Sequence, residues 1–240
     1  RHTTVFGRAK IDGHERLLAG KKPPFQHSPP AMNSSSPPLL CVTDLHFAHT
    51  PDAVVFRGWA AELPPGLTVV CGDESCGKTT LLRLLAGDLS AQSGSIKLHG
   101  TAGGVLGTHV FRTDPRSDAL DAISARTWWA SLPARHPHFD VSLARDLANG
   151  FALEPHIEKP MYMLSAGSKR KVWLCAAFAA GASLTLIDEP FAALDMASIR
   201  FLHGLLDEAS SHQERAWLLA DHVPPEGLVL QQQLVLPTPD

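Results

Sequence analysis

Leu67-Thr68-Val69-Val70-Cys71 runs directly into Gly72-Asp73-Glu74-Ser75-Cys76-Gly77-Lys78-Thr79-Thr80, and then into Leu81-Leu82-Arg83-Leu84-Leu85-Ala86-Gly87. The first run is apolar and has the length of a buried strand. The last carries leucines at 81, 82, 84 and 85, a spacing that predicts a helix, with Gly87 placed to end it. Between them lies the pattern GxxxxGK(S/T), whose required setting is strand, loop, helix. Gly72 and Gly77 let the backbone curl until successive N–H groups converge on phosphate oxygens at the positive end of a helix. Lys78 then neutralises the β- and γ-phosphates, and the Thr79 hydroxyl is the expected Mg2+ ligand. Asp73, Glu74, Ser75, Cys76 and Thr80 complete the expected cradle, with the two acids turned outward because only the backbone must face the ligand. Cys76, near a helix N-terminus and beside Lys78, is expected to favour the thiolate and to be open to alkylation.

Further along, Leu184-Thr185-Leu186-Ile187 is a second strand-like run, ending in Asp188-Glu189-Pro190. Carboxylates at the C-terminal end of a buried strand stand where open α/β sheets place their chemistry. Alone, this would read as an acidic turn closed by proline. With a phosphate cradle upstream, Asp188 is the expected Mg2+ holder and Glu189 the general base that polarises the attacking water.

The segments around the acids resemble those of the ATP-binding cassette (ABC) family. Leu164-Ser165-Ala166-Gly167-Ser168 followed by Lys169-Arg170-Lys171-Val172 is similar to the family's LSGGQ signature and its trailing helix. Phe191-Ala192-Ala193-Leu194-Asp195 resembles the D-loop, and Asp221-His222 after Trp217-Leu218-Leu219-Ala220 resembles the switch histidine. The motifs occur in family order, and the likeness covers roughly residues 38 to 229. It implies an α/β fold: a P-loop NTPase core of mixed sheet flanked by helices, with an antiparallel β portion and an inserted helical subdomain. It implies ATP and Mg2+ as cofactors, and hydrolysis to ADP and phosphate with Lys78, Glu189 and His222 as catalytic residues. It also implies a dimer with a second copy or a homologous ATPase subunit, in which Ser165 and Gly167 close over the nucleotide held by the opposite P-loop. Lys169 would add positive charge there. An integral membrane partner would place the chain on the cytoplasmic face of a membrane.

The sequence departs from the family pattern in places. His49 stands about where an aromatic ring stacks on adenine, with Phe47 as the fallback; imidazole stacks less extensively than tyrosine. Ser168 and Ala166 replace a glutamine and a glycine. The glutamine that contacts Mg2+ is missing; Thr113, in Val110-Phe111-Arg112-Thr113-Asp114-Pro115, is the expected occupant, and His109 a weaker one. The short domain and the LSAG variant resemble the compact ATPase subunits of haem-exporter systems. A soluble ABC ATPase outside transport and a nucleotide-gated assembly subunit with little hydrolysis are the rival readings.

The rest of the chain sets boundaries. Residues 1–36 end in a Pro/Ser-rich run and read as a disordered extension or linker, with the functional domain starting near Met32. The ATP-binding core is expected over 37–112 and 166–235, the helical and signature subdomain over 113–165, and a tail over 236–240. Within that subdomain Ser124 suggests a helix start. Leu143, Leu147 and Phe151 repeat at helical spacing, and Trp128 and Trp129 are either contacts for a membrane partner or core tryptophans. Val172–Ile187 is nearly uncharged but too short for the ~20 residues a membrane span needs. It breaks at Gly181-Ala182-Ser183 and reads as a buried helix followed by a buried strand. A net charge of −3 gives no footing for a nucleic-acid partner. Cys41, Cys71, Cys76 and Cys175 form no CxxC pair and read as free thiols in a reducing compartment. His136 and His138 lack an obvious third metal ligand.

Overall fold

The computed structural model describes residues 37–99 and 106–237. The expected extension over 1–36 lies outside them. The apolar run ahead of the cradle forms β3 (Gly66–Cys71), buried at every position. It is flanked on both sides by parallel partners, so alternation is absent and the run is continuously hydrophobic. The five-stranded parallel sheet has the order β5 (Val110–Arg112), β6 (Leu184–Asp188), β7 (Ala216–Asp221), β3, β8 (Gln232–Val235). A separate antiparallel sheet has the order β2 (Val54–Leu63), β1 (Leu40–Ala48), β4 (Ser93–Leu98).

Helix α1 (Lys78–Ala86) follows the cradle, and its leucines 81, 82, 84 and 85 are all buried. Each such side chain contributes ~1.5–3 kcal/mol of transfer free energy when taken fully out of water. Gly87 ends the helix in the left-handed region (φ +79°), donating its N–H to the carbonyls of Arg83 and Leu84. A second apolar core includes the buried faces of β3, β6 and β7 together with the helical segment between β5 and β6. A short helical turn, α2 (Leu106–His109), precedes β5, and the segment after β5 contains α3 (Ala125–Ser131), capped by Ser124, and α4 (Val141–Gly150), capped by Asp140. It leads into α5 (Ala166–Ala179), the signature helix. Val172–Ile187 divides as read, between α5 and β6, with Gly181 in the left-handed region between them. Helix α6 (Met196–Ser210) connects β6 to β7. Among the described residues no helix is long and apolar enough to cross a membrane.

Of the two readings of Trp128 and Trp129, the core one holds: Trp129 is 1% exposed, and Trp128 packs on Trp173 at 4.4 Å between ring centroids. The expected tail, from residue 236, starts one residue too early, because Leu236 is buried and its N–H bonds to the Cys71 carbonyl at 2.9 Å. His136 is buried against Phe111, and burial pushes its pKa down.

Candidate nucleotide site

Register places the chemistry. β3 pairs with β7 with Cys71 opposite Asp221, and β6 pairs with β7 with Asp188 opposite Ala220. The loop after β3, the acids at the end of β6 and Asp221-His222 at the end of β7 therefore leave adjacent strand ends, the edge at which open α/β sheets bind ligands. There they border a cleft of about 570 Å³. Glu74, Ser75, Gly77, Lys78, Thr79 and Thr80 line it from the loop and α1, with Asp188, Glu189, His222 and His49 around them. Gly72, Asp73 and Cys76 do not line it.

Glycine is required at position 77. Its φ is +99°, and a Cβ there would stand 2.5 Å from Val55 Cγ1. The Lys78 ammonium folds back on its own loop, donating to the carbonyls of Gly72 at 2.5 Å and Asp73 at 2.7 Å. Lys78 is 8% exposed, and a buried ammonium needs such partners. Cys76 lies under the loop rather than on it. It is buried, and a Cβ on Gly72 would meet its Sγ at 2.5 Å, so the expected accessible thiol is corrected.

Thr79 donates its hydroxyl to Asp188 Oδ2 at 2.6 Å, joining the cradle to the acids. Burial raises the Asp188 pKa, opposed by that hydrogen bond. Glu189 adopts φ +46°, uncommon for a residue with a side chain. It is held there by its N–H bond to Ala220 O at 2.8 Å and by Arg170, whose Nη1 donates to the carbonyls of Asp188 at 2.9 Å and Glu189 at 2.5 Å. The Glu189 carboxylate is paired with the Arg116 guanidinium. The His222 backbone N–H donates to Asp221 Oδ1 at 2.7 Å. His49 Nε2 lies 3.1 Å from the Thr80 hydroxyl and edge-on to Phe47, which is buried, so the imidazole and not the phenyl ring borders the cleft.

Thr113 is 2% exposed, and its hydroxyl accepts from the Asp188 N–H at 3.4 Å, which steadies the β6 terminus. It does not line the main cleft but borders a smaller pocket beside Thr79, Asp188 and Glu189. His109 does not line the cleft either. Ser165 caps α5, accepting from the Ser168 N–H at 3.1 Å, and Gly167 packs where a Cβ would overlap the Ala193 carbonyl oxygen. Both lie outside the cleft of their own chain. Lys169 is bound to Asp121 at 2.5 Å rather than standing free as a phosphate-directed charge.

Comparison with known proteins agrees with this layout. The family model described as ABC transporter matches residues 61–192. The cytochrome c biogenesis ATP-binding export protein CcmA of Rhodospirillum rubrum is 34% identical over 224 residues, 81% of this chain and 91% of that protein. The chain belongs to the ABC transporter family. The taurine import ATP-binding protein TauB of Escherichia coli (strain K12) is 31% identical over 177 residues, 71% of this chain and 68% of that protein. An ATP-binding subunit of an ABC transporter shares the fold with a TM-score of 0.68 at 22% identity, covering 77% of this chain and 80% of that one. An inward-facing metal-chelate type ABC transporter does so at 0.65 and 22% identity, over 84% of this chain and 80% of that one.

Two cations of this ABC transporter family member were not singled out by its sequence. Arg116 sits in the irregular segment after β5, where no periodicity marks a side chain as facing the cleft. Arg170 lies inside the basic run Lys169-Arg170-Lys171, in which nothing in the sequence marks one cation as buried, although Arg170 is.

Proposed function

We propose that the chain binds ATP and hydrolyses it to ADP and phosphate as the ATP-binding subunit of a transporter. The observation that carries this is the convergence of Lys78, Thr79, Asp188, Glu189 and His222 on one cleft at adjacent strand ends. The Thr79 hydroxyl and the Asp188 carboxylate fit Mg2+: they are hard oxygen donors already in contact, on a carboxyl whose charged form is penalised by burial. When bound, the ion would neutralise charge on the β- and γ-phosphates. Gly77 and its neighbours orient backbone N–H groups at the phosphates. Lys78, released from the loop carbonyls, meets the phosphate charge. Glu189, fixed by its backbone, accepts a proton from a water aligned with the γ-phosphate, and His222 holds that water or the phosphate from the next strand.

Ser165 and Gly167 lie outside their own cleft, which supports a dimer in which each chain's signature completes the other's site. The partner would be a second copy or a homologous ATPase subunit. An integral membrane subunit would hold the pair on the cytoplasmic face, since no described helix can span a bilayer. The two named relatives differ in direction, one import and one export, so neither cargo passes to this chain. One observation favours the nucleotide-gated reading with little hydrolysis: Thr113, in place of the glutamine, faces the backbone and not the cleft.

Phosphate release by the purified protein with ATP–Mg2+, measured across protein concentrations beside Glu189→Gln, tests the proposal. Turnover rising faster than linearly with protein, and absent in the variant, supports a dimeric ATPase. Binding without turnover in either protein moves the reading to the nucleotide-gated subunit, and absence of binding overturns it.

A further inference from the structure

The cleft is short of mobile positive charge. The acidic residues Glu74, Asp188 and Glu189 line it, whereas the Lys78 ammonium is tied to loop carbonyls. The Arg170 guanidinium is buried and committed to the carbonyls of Asp188 and Glu189. Arg116 differs from both. It lines the same cleft, its side chain is 70% exposed, and its Nη2 is paired with a single oxygen of Glu189. An exposed ion pair of this kind holds weakly. A terminal phosphate carries more charge than one carboxylate and matches the guanidinium fork in a bidentate pair.

We propose that Arg116 is a ligand of the nucleotide γ-phosphate, exchanging Glu189 for it when ATP binds. The exchange frees the Glu189 carboxylate only when a γ-phosphate is present, so the base is released by the same group it acts upon. With ADP the Arg116–Glu189 pair stays closed. The proposal rests on the nucleotide reading above and adds a residue that distinguishes ATP from ADP.

The test uses the full chain, with ATP–Mg2+ and ADP–Mg2+ binding measured at equilibrium. Hydrolysis is suppressed and the carboxylate charge removed in Glu189→Gln, which also keeps Arg116 from its resting partner. In that background Arg116→Ala should weaken ATP roughly tenfold, the loss of one charge-assisted contact, and leave ADP within about twofold. Arg116→Lys should recover part of the difference, since it keeps charge without the fork. If Arg116 merely shields the phosphate from Glu189, adding Arg116→Ala to Glu189→Gln will leave ATP binding unchanged, and the proposal falls. Equal weakening of ATP and ADP overturns it as well. A wild-type chain that binds neither nucleotide overturns the nucleotide reading itself, a result separate from any difference between variants.

Discussion

Arg170 Nη1 donates to the main-chain carbonyl of Glu189 at 2.5 Å, so a residue of the signature helix fixes the backbone of the proposed base. Glu189 sits at φ +46°, and such a conformation persists only where its surroundings over-determine it. Arg170 supplies one side of that restraint and Ala220 the other. The positioning of Glu189 is thereby tied to the element that carries Ser165 and Gly167.

Arg170→Leu removes the donor from two carbonyls and should destabilise the fold by ~1–3 kcal/mol, seen in thermal or urea unfolding. The larger effect should be on catalysis. Expected is a fall in kcat of roughly tenfold or more with nucleotide affinity within about threefold, because Glu189 moves while the cradle stays. Arg170→Lys should be intermediate. An unchanged kcat in a folded Arg170→Leu protein would remove Arg170 from the positioning of Glu189.

Cysteine alkylation followed by peptide mass analysis reads the cradle directly. Cys41 is partly exposed, whereas Cys71, Cys76 and Cys175 are buried. Cys41 should label first, with Cys76 slower by at least roughly tenfold because it reacts only when the loop opens. ATP–Mg2+ should slow Cys76 further and leave Cys41 unaffected. Cys76 reacting as fast as Cys41 would contradict its place beneath Gly72.

Gly167→Ala would put a Cβ into the Ala193 carbonyl oxygen, so one of the two segments must move. Ala193 is itself at φ +59° and precedes Asp195, which caps α6 and pairs with Lys171 at 2.7 Å. The substitution therefore shifts the signature segment against the D-loop segment, neither of which lines the cleft of its own chain. ATP binding should stay within about threefold while phosphate release falls by roughly tenfold or more. Its steep dependence on protein concentration should also disappear. Loss of ATP binding instead would show that the effect lies within one chain.

The parts of the site legible in the sequence are those in which backbone geometry dictates residue type. Gly77 must be glycine for its φ and for Val55, and continuous burial makes β3 and β6 read as strands. What escaped depends on direction rather than type. Lys169, Arg170 and Lys171 are three consecutive cations, yet one reaches Asp121, one the carbonyls of Asp188 and Glu189, and one Asp195. Helical rotation separates them by about 100° per residue, and a basic run carries no mark of which side is buried. Trp128 and Trp129 posed the same difficulty in a helix of seven residues, too short for periodicity to choose between interface and core. Thr113 was matched by its place after β5, but its hydroxyl turns to the neighbouring strand.

Asp188 gives the pH-dependent prediction. Burial raises its pKa above the ordinary 3.8, so the folded chain holds this proton more tightly than the unfolded chain does. Its contribution to stability is fully present below the unfolded value and is lost as pH rises through the raised folded value. At neutral pH the charged carboxylate therefore costs the nucleotide-free chain stability. Asp188→Asn keeps an acceptor for the Thr79 hydroxyl and removes the charge, so at pH 7 it should unfold at a higher temperature than wild type without nucleotide. The gap should narrow on acidification as wild-type Asp188 takes up its proton. With ATP–Mg2+ the order should reverse, because ligand binding stabilises the wild-type fold and the amide is a poorer oxygen ligand for the cation. Melting curves from acid to neutral pH, with and without ATP–Mg2+, check both halves. A variant less stable than wild type at pH 7 without nucleotide would mean that Thr79 and its neighbours already stabilise the Asp188 charge by more than burial costs it.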